Sequence, residues 1–392
     1  MKKVLVIGAG LSGLSCAHHL KKNNVEVEVK VYEKNDSCGG RASSDKVNGF
    51  ILDKGFQVLL NNYSELKNLD IYKDLDLQYF DSGAKVFLHN KNYSLFNPIY
   101  HPLKFLRSNI VQIFSGLDLY KILSFLLFKE KVLIGQSTSS FIKNTLSKKS
   151  LKLFFFPFFG GVFLSKDLET DANFFLKVFK KFALGRAGLP SKGMSKLSEK
   201  IIQKSNIDVA CNHELYKISG DRAHFKNGRS TRFDKIVLAM PLHEINRFMK
   251  LSLNLDYNST STFYISSKEK KLGKSILLVP DESFETNSVQ CLTNISKSYS
   301  DTDKSLYSVS SLNLNSSEEK ILNEFTLITG IDRNNISLEK TFRIKYALHK
   351  RTKKIKSKNN ILFCGDWSTE PSIDGAIKSG RLIARKILNS FK

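Results

Sequence analysis

The chain has 392 residues, and its 61 Lys and Arg against 37 Asp and Glu give a formal net charge of +24. This length is more than one compact core usually holds, so we predict two closely connected domains. The five cysteines are scattered without a Cys-x-x-Cys pair or a His-rich segment, which excludes a disulfide framework and a zinc motif. We expect reduced thiols and no bound metal.

The basic residues are spread along the whole chain, with only short clusters such as Lys268 to Lys271. No helix-turn-helix, zinc module or RNA-binding aromatic motif accompanies them, so specific nucleic-acid binding is not expected. Biased composition and attraction to an anionic membrane surface both explain such a charge. Because a strand is predicted from Lys2 onward, we expect no cleavable secretory signal and a cytoplasmic protein, with membrane association as an alternative.

The first predicted elements are a strand, a glycine-rich turn and a helix. The apolar run Val4-Leu5-Val6-Ile7 is typical of a buried parallel strand, and Gly8-x-Gly10-x-x-Gly13 follows it directly. Gly8 would permit the tight turn, Gly10 the close approach of a pyrophosphate, and Gly13 the packing of the helix on the sheet. These features predict a dinucleotide-binding unit.

The helix that begins at Leu11 and Ser12 would present its free N–H groups and its positive end to the phosphates. A second predicted strand ends at Glu33, where a carboxylate can accept hydrogen bonds from both ribose hydroxyls. The same carboxylate would repel a 2′-phosphate, so NADP is not expected. Lys34 lies next to this site as either a cofactor contact or a solvated charge at the strand end.

The nucleotide-binding domain is expected to be discontinuous, with two insertions. Its parts are residues 1–75, 195–251 and 341–392, and the insertions are residues 76–194 and 252–340. In the middle part, apolar and polar residues alternate as expected for strands at Ile207–Ala210, Glu214–Ile218 and Lys235–Ala239, and Asn227-Gly228 predicts a hairpin turn. The predicted fold class is α/β, a Rossmann-like domain that carries an inserted α+β domain.

The first insertion is apolar and is expected to be mostly helical. Apolar residues recur at helical spacing from Leu103 to Leu117 and from Phe174 to Phe182. The run from Leu119 to Ile134 is too short and too charged to span a membrane, so it either packs in a core or lies in a membrane interface. The aromatic cluster Leu153–Phe159 would line a tunnel for a long hydrocarbon or fill a core.

The second insertion alternates between apolar and polar residues, which predicts an antiparallel sheet, with a helix around Ser317 to Thr329 after it. Near the C-terminus, the strand Asn360–Cys364 runs into Gly365 and Asp366, and an amphipathic helix is predicted from Gly375 onward. The N-terminus of that helix would present free N–H groups to a ligand, unless the helix only docks on the domain.

These motifs together resemble the flavin-containing amine oxidase and phytoene desaturase superfamily, most of all its phytoene desaturase-like branch. The resemblance rests on the N-terminal fingerprint, Gly39-Gly40-Arg41, Phe50-x-x-Asp53-x-Gly55, and the closing Gly365-Asp366 and Ser372-Ile373-Asp374-Gly375-Ala376. It implies FAD as the cofactor. The contacts that the resemblance implies are Gly39, Gly40 and Arg41 at the pyrophosphate and ribitol, Gly55 and Phe56 beside the isoalloxazine, Leu215 at the adenine, Gly365 and Asp366 at the ribitol, and Ile373, Asp374 and Ala376 at the flavin pyrimidine edge.

The function implied by the resemblance is hydride transfer between flavin N5 and a small lipophilic substrate of isoprenoid or carotenoid type. No catalytic acid or base is assigned, because the histidines have no partner at a characteristic spacing. Amine oxidases of the superfamily usually place an aromatic residue two positions before the closing acid, and here that position is Ser372. This counts against an amine substrate. A non-redox FAD-dependent polyene isomerase, or a membrane-associated scaffold that keeps FAD for stability, would also be compatible with these motifs.

Overall fold

A computed structural model describes residues 1–23, 26–127, 133, 135–358 and 360–391 of the chain. Its first part builds the glycine-rich turn between a buried strand and a helix, as the apolar run and the glycines predict. The elements up to residue 75 are β1 (Lys2–Ile7), α1 (Leu11–Lys22), β2 (Val27–Tyr32), β3 (Ser44–Val47), β4 (Phe50–Asp53), β5 (Leu59–Leu60) and α2 (Ser64–Asn68).

The first insertion contains strands as well as the expected helices. Its elements are β6 (Leu77–Tyr79), β7 (Gly83–Leu88), β8 (Lys91–Phe96), α3 (Pro102–Leu106), α4 (Gly116–Phe125), α5 (Thr138–Thr145), α6 (Lys148–Ser150), α7 (Phe156–Phe163), α8 (Ala172–Leu184) and β9 (Ala187–Pro190). The helical character predicted for this insertion therefore begins near residue 102. Of the three strands before that point, β7 pairs with β8 and with β16 of the second insertion, and β6 pairs with β9.

Helical spacing between Leu103 and Leu117 does not produce one continuous helix. Helix α3 ends where the Ser108 hydroxyl donates to the carbonyl of Phe105, and α4 starts anew behind the N-cap Ser115. Polar side chains that bond to the local backbone in this way interrupt a helix even where the apolar pattern continues. Of the predicted run 119–134, residues 128–132 and 134 lie outside the described residues.

The middle part returns the chain to the nucleotide-binding domain, with the predicted strands confirmed. Its elements are α9 (Ser195–Ser205), β10 (Val209–Ala210), β11 (Leu215–Ser219), β12 (Arg222–Phe225), β13 (Ser230–Arg232), β14 (Lys235–Leu238) and α10 (Leu242–Phe248). The remaining elements are β15 (Tyr257–Ser267), β16 (Leu277–Leu278), β17 (Thr286–Cys291), α11 (Leu292–Ile295), β18 (Ser305–Ser311), α12 (Glu318–Thr329), β19 (Ile336–His349), β20 (Ile361–Phe363) and α13 (Ile373–Asn389).

Two main sheets organise the molecule. The first is a parallel sheet of five strands in the order β10-β2-β1-β14-β20, which confirms the α/β, Rossmann-like domain. It joins strands from all three predicted parts of the nucleotide-binding domain. The second is a sheet of seven strands in the order β19-β15-β18-β17-β16-β7-β8, mostly antiparallel but with β16 and β7 parallel.

The seven-stranded sheet extends past the boundary expected at residue 340. Strand β19 pairs with β15 from Ile336 as far as His349, so one strand leads from the inserted sheet back to the nucleotide-binding domain. Among the described residues, no helix combines the length and the apolar character that crossing a membrane requires.

Candidate functional site

The glycine-rich turn between β1 and α1 has the geometry that the fingerprint predicts. Gly8 has φ +107°, and a Cβ there would lie 2.4 Å from the carbonyl oxygen of Ala239 on the neighbouring chain segment. A Cβ on Gly13 would lie 2.0 Å from the carbonyl oxygen of Gly8, so Gly13 lets α1 pack on the turn. A Cβ on Gly10, by contrast, would meet no atom within 4 Å, because Gly10 faces open space.

Glu33 is buried at the end of β2, beside this turn. Its Oε2 accepts a hydrogen bond of 2.8 Å from the Ala9 N–H, and its Oε1 accepts bonds from the backbone and the side chain of Asn35. A carboxylate offers about four acceptor positions, so one position is left for a ribose hydroxyl. Its neighbour Lys34 forms an ion pair of 2.6 Å with Glu244 and also lines the cavity described below.

Arg41 connects the two ends of the chain across the site. Its Nη2 donates to Asp366 Oδ1 over 2.6 Å and its Nη1 donates to the carbonyl of Ala347. The negative charge of Asp366 raises the pKa of the Arg41 guanidinium, so this residue stays cationic. Two of its five N–H donors are used, and the others are available to phosphate oxygens.

Helix α13 points its N-terminus at the same site. Ser372 is the N-cap, its hydroxyl accepting a bond of 2.9 Å from the Gly375 N–H, and Ile373 and Ala376 line the cavity. Asp374 differs from the expectation, since its carboxylate binds the Glu65 N–H and the ammonium of Lys181. Only the backbone of Asp374 is therefore available to a cofactor.

The glycine-rich turn, Glu33, Arg41 and the N-terminus of α13 together form what we call the clamp. One cavity of about 1010 Å³ extends from this clamp into the first insertion. Of the predicted cofactor contacts, Gly13 and Asp374 lie outside its wall. The predicted residues on the wall are Gly8, Gly10, Leu11, Ser12, Glu33, Lys34, Gly39, Gly40, Arg41, Gly55, Phe56, Leu215, Gly365, Asp366, Ile373 and Ala376. The structure thus brings to one cleft residues that the sequence placed in three separate segments.

The far end of the cavity is aromatic, and most of its residues come from α7 and α8. The cluster at 153–159 serves both expected purposes, because Phe155 and Phe159 are fully buried in a core of phenylalanines and also line the cavity. On α8, Lys177 and Lys181 reach the cavity between Phe174 and Phe182. Sequence reasoning did not identify these lysines, although two lysines at i and i+4 within an apolar helix face were a usable signal.

The residues of the clamp fit FAD. The open side of Gly10 offers room for a pyrophosphate, and helix α1 starts without an acidic residue or a side-chain cap that would compete for its N–H groups. Gly39 and Gly40 have φ +107° and +61°, and a Cβ on Gly40 would stand 3.5 Å from the Cα of Gly10. A helix end, a cation and a ribose acid are the donor and acceptor set that a dinucleotide requires.

The chain is similar to several known proteins. A protein 25% identical over 272 residues is protoporphyrinogen oxidase 2 of Arabidopsis thaliana, aligned over 66% of this chain and 51% of its own length. The 1-hydroxycarotenoid 3,4-desaturase of a Flavobacterium is 42% identical over 55 residues, which are 14% of this chain and 11% of that protein. The chain thus spans at most about half of these relatives.

An oxidoreductase from Methanosarcina mazei has the same fold, with a TM-score of 0.74, 16% identity, and coverage of 98% of this chain and 100% of that one. The family model described as flavin-containing amine oxidoreductase matches residues 11–327. The cofactor of this family is FAD, and FAD fits the clamp around Gly10, Glu33 and Arg41 in this chain. The chain therefore belongs to the flavin-containing amine oxidoreductase family, a family of FAD-dependent oxidoreductases.

Proposed function

We propose that the protein is an FAD-dependent oxidoreductase that acts on a small lipophilic substrate of isoprenoid type. The observation that carries this proposal is the single cavity, which is continuous from the dinucleotide clamp to the aromatic chamber formed by α4, α7 and α8. A mostly apolar cavity of this size suits a long apolar ligand placed end-on to a cofactor. FAD, when bound, supplies the redox chemistry by accepting or returning a hydride.

The chain's own residues would position the cofactor and exclude water. Gly55 and Phe56 lie on the cavity wall between the clamp and the aromatic chamber, and Phe56 packs edge-on against Phe80 with ring centroids 6.1 Å apart. The N-terminus of α13 lines the wall through Ile373 and Ala376. The positive end of this helix would stabilise negative charge on a reduced flavin ring.

The carboxylates of the cavity argue against an amine substrate. In the described part of the chain, each carboxylate on the wall already has a cationic or N–H partner. These carboxylates and partners are Glu33 with Ala9 and Asn35, Asp81 with Lys104, Glu214 with Lys226, Glu244 with Lys34, Asp366 with Arg41, and Glu370 with Lys177. An ammonium group would find these carboxylates already bonded to cations or N–H groups, whereas a neutral lipophile needs no counter-ion.

The aromatic residue that amine oxidases of the superfamily usually place two positions before the closing acid is absent here. Ser372 occupies that position and caps α13. Trp367 is 1% exposed and donates its Nε1–H to the carbonyl of Met240, so it belongs to the core of the nucleotide-binding domain. These contacts favour a lipophilic substrate over an amine.

An exposed apolar surface lies beside the chamber, between residues 99 and 127. Leu106 and Leu127 are 79% and 81% exposed, and the basic residues Lys104 and Arg107 are exposed on α3 among these apolar side chains. The apolar residues of this surface are Ile99, Leu103, Leu106, Val111, Leu117, Tyr120, Leu123 and Leu127. Exposed apolar residues with cations between them in the chain suit the headgroup region of an anionic membrane.

The exposed apolar surface also reaches the cavity. Ile99 and Leu123 are exposed on the outside and line the cavity as well, and Phe105, Ile110 and Phe114 continue the wall inward. A lipophile could therefore pass from a membrane into the chamber without entering bulk water. We propose that this surface docks on the membrane that holds the substrate.

The test is anaerobic incubation of the FAD-loaded protein with isoprenoid hydrocarbons, isoprenoid alcohols and primary amines. The proposal expects an isoprenoid, and no amine, to remove the absorbance of oxidised flavin. Bleaching by amines alone would contradict it. Conversion of a polyene to an isomer, with no net bleaching and no acceptor consumed, would favour a polyene isomerase instead.

A further inference from the structure

The central strands β15, β17 and β18 of the seven-stranded sheet have two chemically different faces, although both are buried. On one face Phe263, Val289 and Val309 are fully buried against α12, as an apolar core requires. The opposite face presents hydroxyl groups at the neighbouring positions. Because side chains alternate along a strand, Thr262 of β15, Ser310 of β18 and Ser288 of β17 stand side by side in one row.

This hydroxyl row is deeply buried. Thr262, Ser288 and Ser310 are 1%, 3% and 8% exposed. Among the described residues, the hydroxyl oxygens of Thr262 and Ser310 have no hydrogen-bond partner, and both are closed to solvent in their present rotamers. Alternation of apolar and polar residues is typical of a sheet with one face in water, but here the polar face lies inside the molecule.

The hydroxyl row belongs to the wall of the cavity. All three residues line it. Helix α7 packs beside the β17 end of the row, where Asn287 Nδ2 donates to the Pro157 carbonyl. A Cβ placed on Gly55 would lie 4.0 Å from Thr262 Oγ1, so the row is next to the residue expected beside the isoalloxazine. The hydroxyl row thus extends from the redox end, at Thr262, to the aromatic chamber beside α7, at Ser288.

Unpartnered hydroxyls in such a place need an explanation. A buried polar group without a hydrogen bond destabilises a fold, and nearly all buried polar side chains in proteins have a partner. Valine or alanine would fill the same positions without this penalty. The sequence Ser-Thr-Ser-Thr at residues 259–262 and the serines of β18 therefore indicate that something polar occupies the cavity at this level.

We infer that the substrate carries a neutral oxygen group, a hydroxyl or a carbonyl, to which Thr262 and Ser310 hydrogen-bond after rotation about χ1 turns their hydroxyls toward the cavity, while its apolar body lies among the phenylalanines. This inference rests on the proposed function and narrows its substrate class from lipophiles in general to oxygenated lipophiles. Thr262 and Ser310 are then residues that determine specificity.

A neutral group fits this row better than an ion. The row contains only hydroxyls, which can both donate and accept, and no residue of the row carries a charge. The cavity carboxylates are paired as described above, and Lys177 and Lys181 are paired with Glu370 and Asp374. A carboxylate or an ammonium on the substrate would meet groups here that are already paired.

The experiment compares the FAD-loaded wild type with the Thr262→Val/Ser310→Ala double variant. Farnesene, farnesol and farnesal share a carbon skeleton and differ in their oxygen group, and their dissociation constants are obtained from the spectral perturbation of the bound flavin. Wild type should bind farnesol or farnesal about tenfold more tightly than farnesene. The double variant should lose this preference and bind farnesene as well as wild type does.

Controls separate a specific effect from a folding defect. Thr262→Val conserves size and Ser310→Ala removes one oxygen atom, so removal of these unpartnered hydroxyls should leave thermal stability and flavin content equal or higher. Ser310→Ala alone provides a milder variant if the double variant does not fold, and it should weaken the preference in part. Ser300→Ala/Thr302→Val, a hydroxyl pair near the surface, should change nothing.

Two outcomes overturn the inference while leaving the proposed function intact. One is equal affinity of wild type for all three compounds, as expected if only ordered water occupies the hydroxyl row. The other is an undiminished preference for the oxygenated compounds in the double variant. If none of the three compounds perturbs the flavin, the proposed function itself fails, and the inference fails with it.

Discussion

Arg41 Nη2 lies 2.6 Å from Asp366 Oδ1, although 325 positions separate the two residues in the chain. The ion pair joins the turn after Gly39 and Gly40 to the segment that follows β20, and both residues line the cavity. The first and last parts of the nucleotide-binding domain are thus held together at the place where a cofactor carrying two phosphates would lie.

Replacement of Arg41 by Met should destabilise the protein and weaken FAD binding. Asp366, whose side chain is 7% exposed, would lose its cation. Because the Arg41 side chain is 40% exposed, the loss should be about 1–3 kcal/mol, below the range for a fully buried pair. Urea unfolding of the apoprotein and FAD titration measure the two effects.

Arg41→Lys is the matched control for this ion pair. Lysine keeps the charge but cannot bind Asp366 and the Ala347 carbonyl with one planar group, so an intermediate effect is expected. Asp366→Asn, alone and combined with Arg41→Met, completes a double-mutant cycle. Strictly additive effects of Arg41→Met and Asp366→Asn on stability would show that the pair does not act as a unit.

Gly10 and Gly13 should respond differently to substitution, although both belong to one motif. Gly10→Val should leave apoprotein stability nearly unchanged, since its Cβ meets nothing within 4 Å, but it should abolish FAD binding by filling the space for the pyrophosphate. Gly13→Ala should destabilise the apoprotein by about 3 kcal/mol, because its Cβ would stand 2.0 Å from the Gly8 carbonyl oxygen. Flavin content and unfolding curves distinguish the two. Retention of flavin by Gly10→Val would contradict the clamp.

Asp118 should make the helical insertion sensitive to acid. Burial disfavours its ionised form, but hydrogen bonds from the backbone and hydroxyls of Ser147 and Ser115 outweigh burial and lower its pKa to about 2. A lowered folded-state pKa stabilises the protein above the ordinary value of 3.8, and this stability is lost as the pH falls toward 2. The contribution at neutral pH is about 2 kcal/mol.

The variant that tests this contribution is Asp118→Asn. It should lower stability at pH 7 and flatten the dependence of stability on pH between about 4 and 2, measured by circular dichroism during urea unfolding. Exposed Asp303 is a control, because Asp303→Asn removes a carboxylate whose pair with Lys268 is open to water. An unchanged acid profile in Asp118→Asn would contradict the assignment.

The exposed apolar surface between residues 99 and 127 should mediate membrane binding. Replacement of Leu103, Leu106 and Leu127 by Ser should reduce flotation with anionic vesicles, because each leucine contributes apolar area to the lipid interface. Leu327→Ser is the matched control, an exposed leucine on α12 outside this surface. Binding to anionic vesicles should also weaken with salt. Equal flotation of the triple variant and wild type would remove the proposed membrane contact.

The glycine-rich turn and the acid at Glu33 could be predicted from the sequence because they are neighbours in the chain. A buried strand, a turn that needs Gly8, a helix that must pack at Gly13 and an acid at the end of the next strand all obey local rules of period and conformation. The strands around Leu215 and the helix at Ser317–Thr329 were predicted for the same reason. Their existence depends on the alternation or spacing of nearby residues.

The features that only the tertiary structure decided depend on contacts between segments that are distant in the chain. The sequence could not show that β7 and β8 join the sheet of the second insertion, or that the Asp374 carboxylate binds Lys181 and α2. It could not show that the polar face of β15, β17 and β18 would be buried along a cavity, since the alternation of a strand is the same whether its polar face meets water or a ligand. Local pattern specifies each element and its two faces, but long-range packing decides what each face meets.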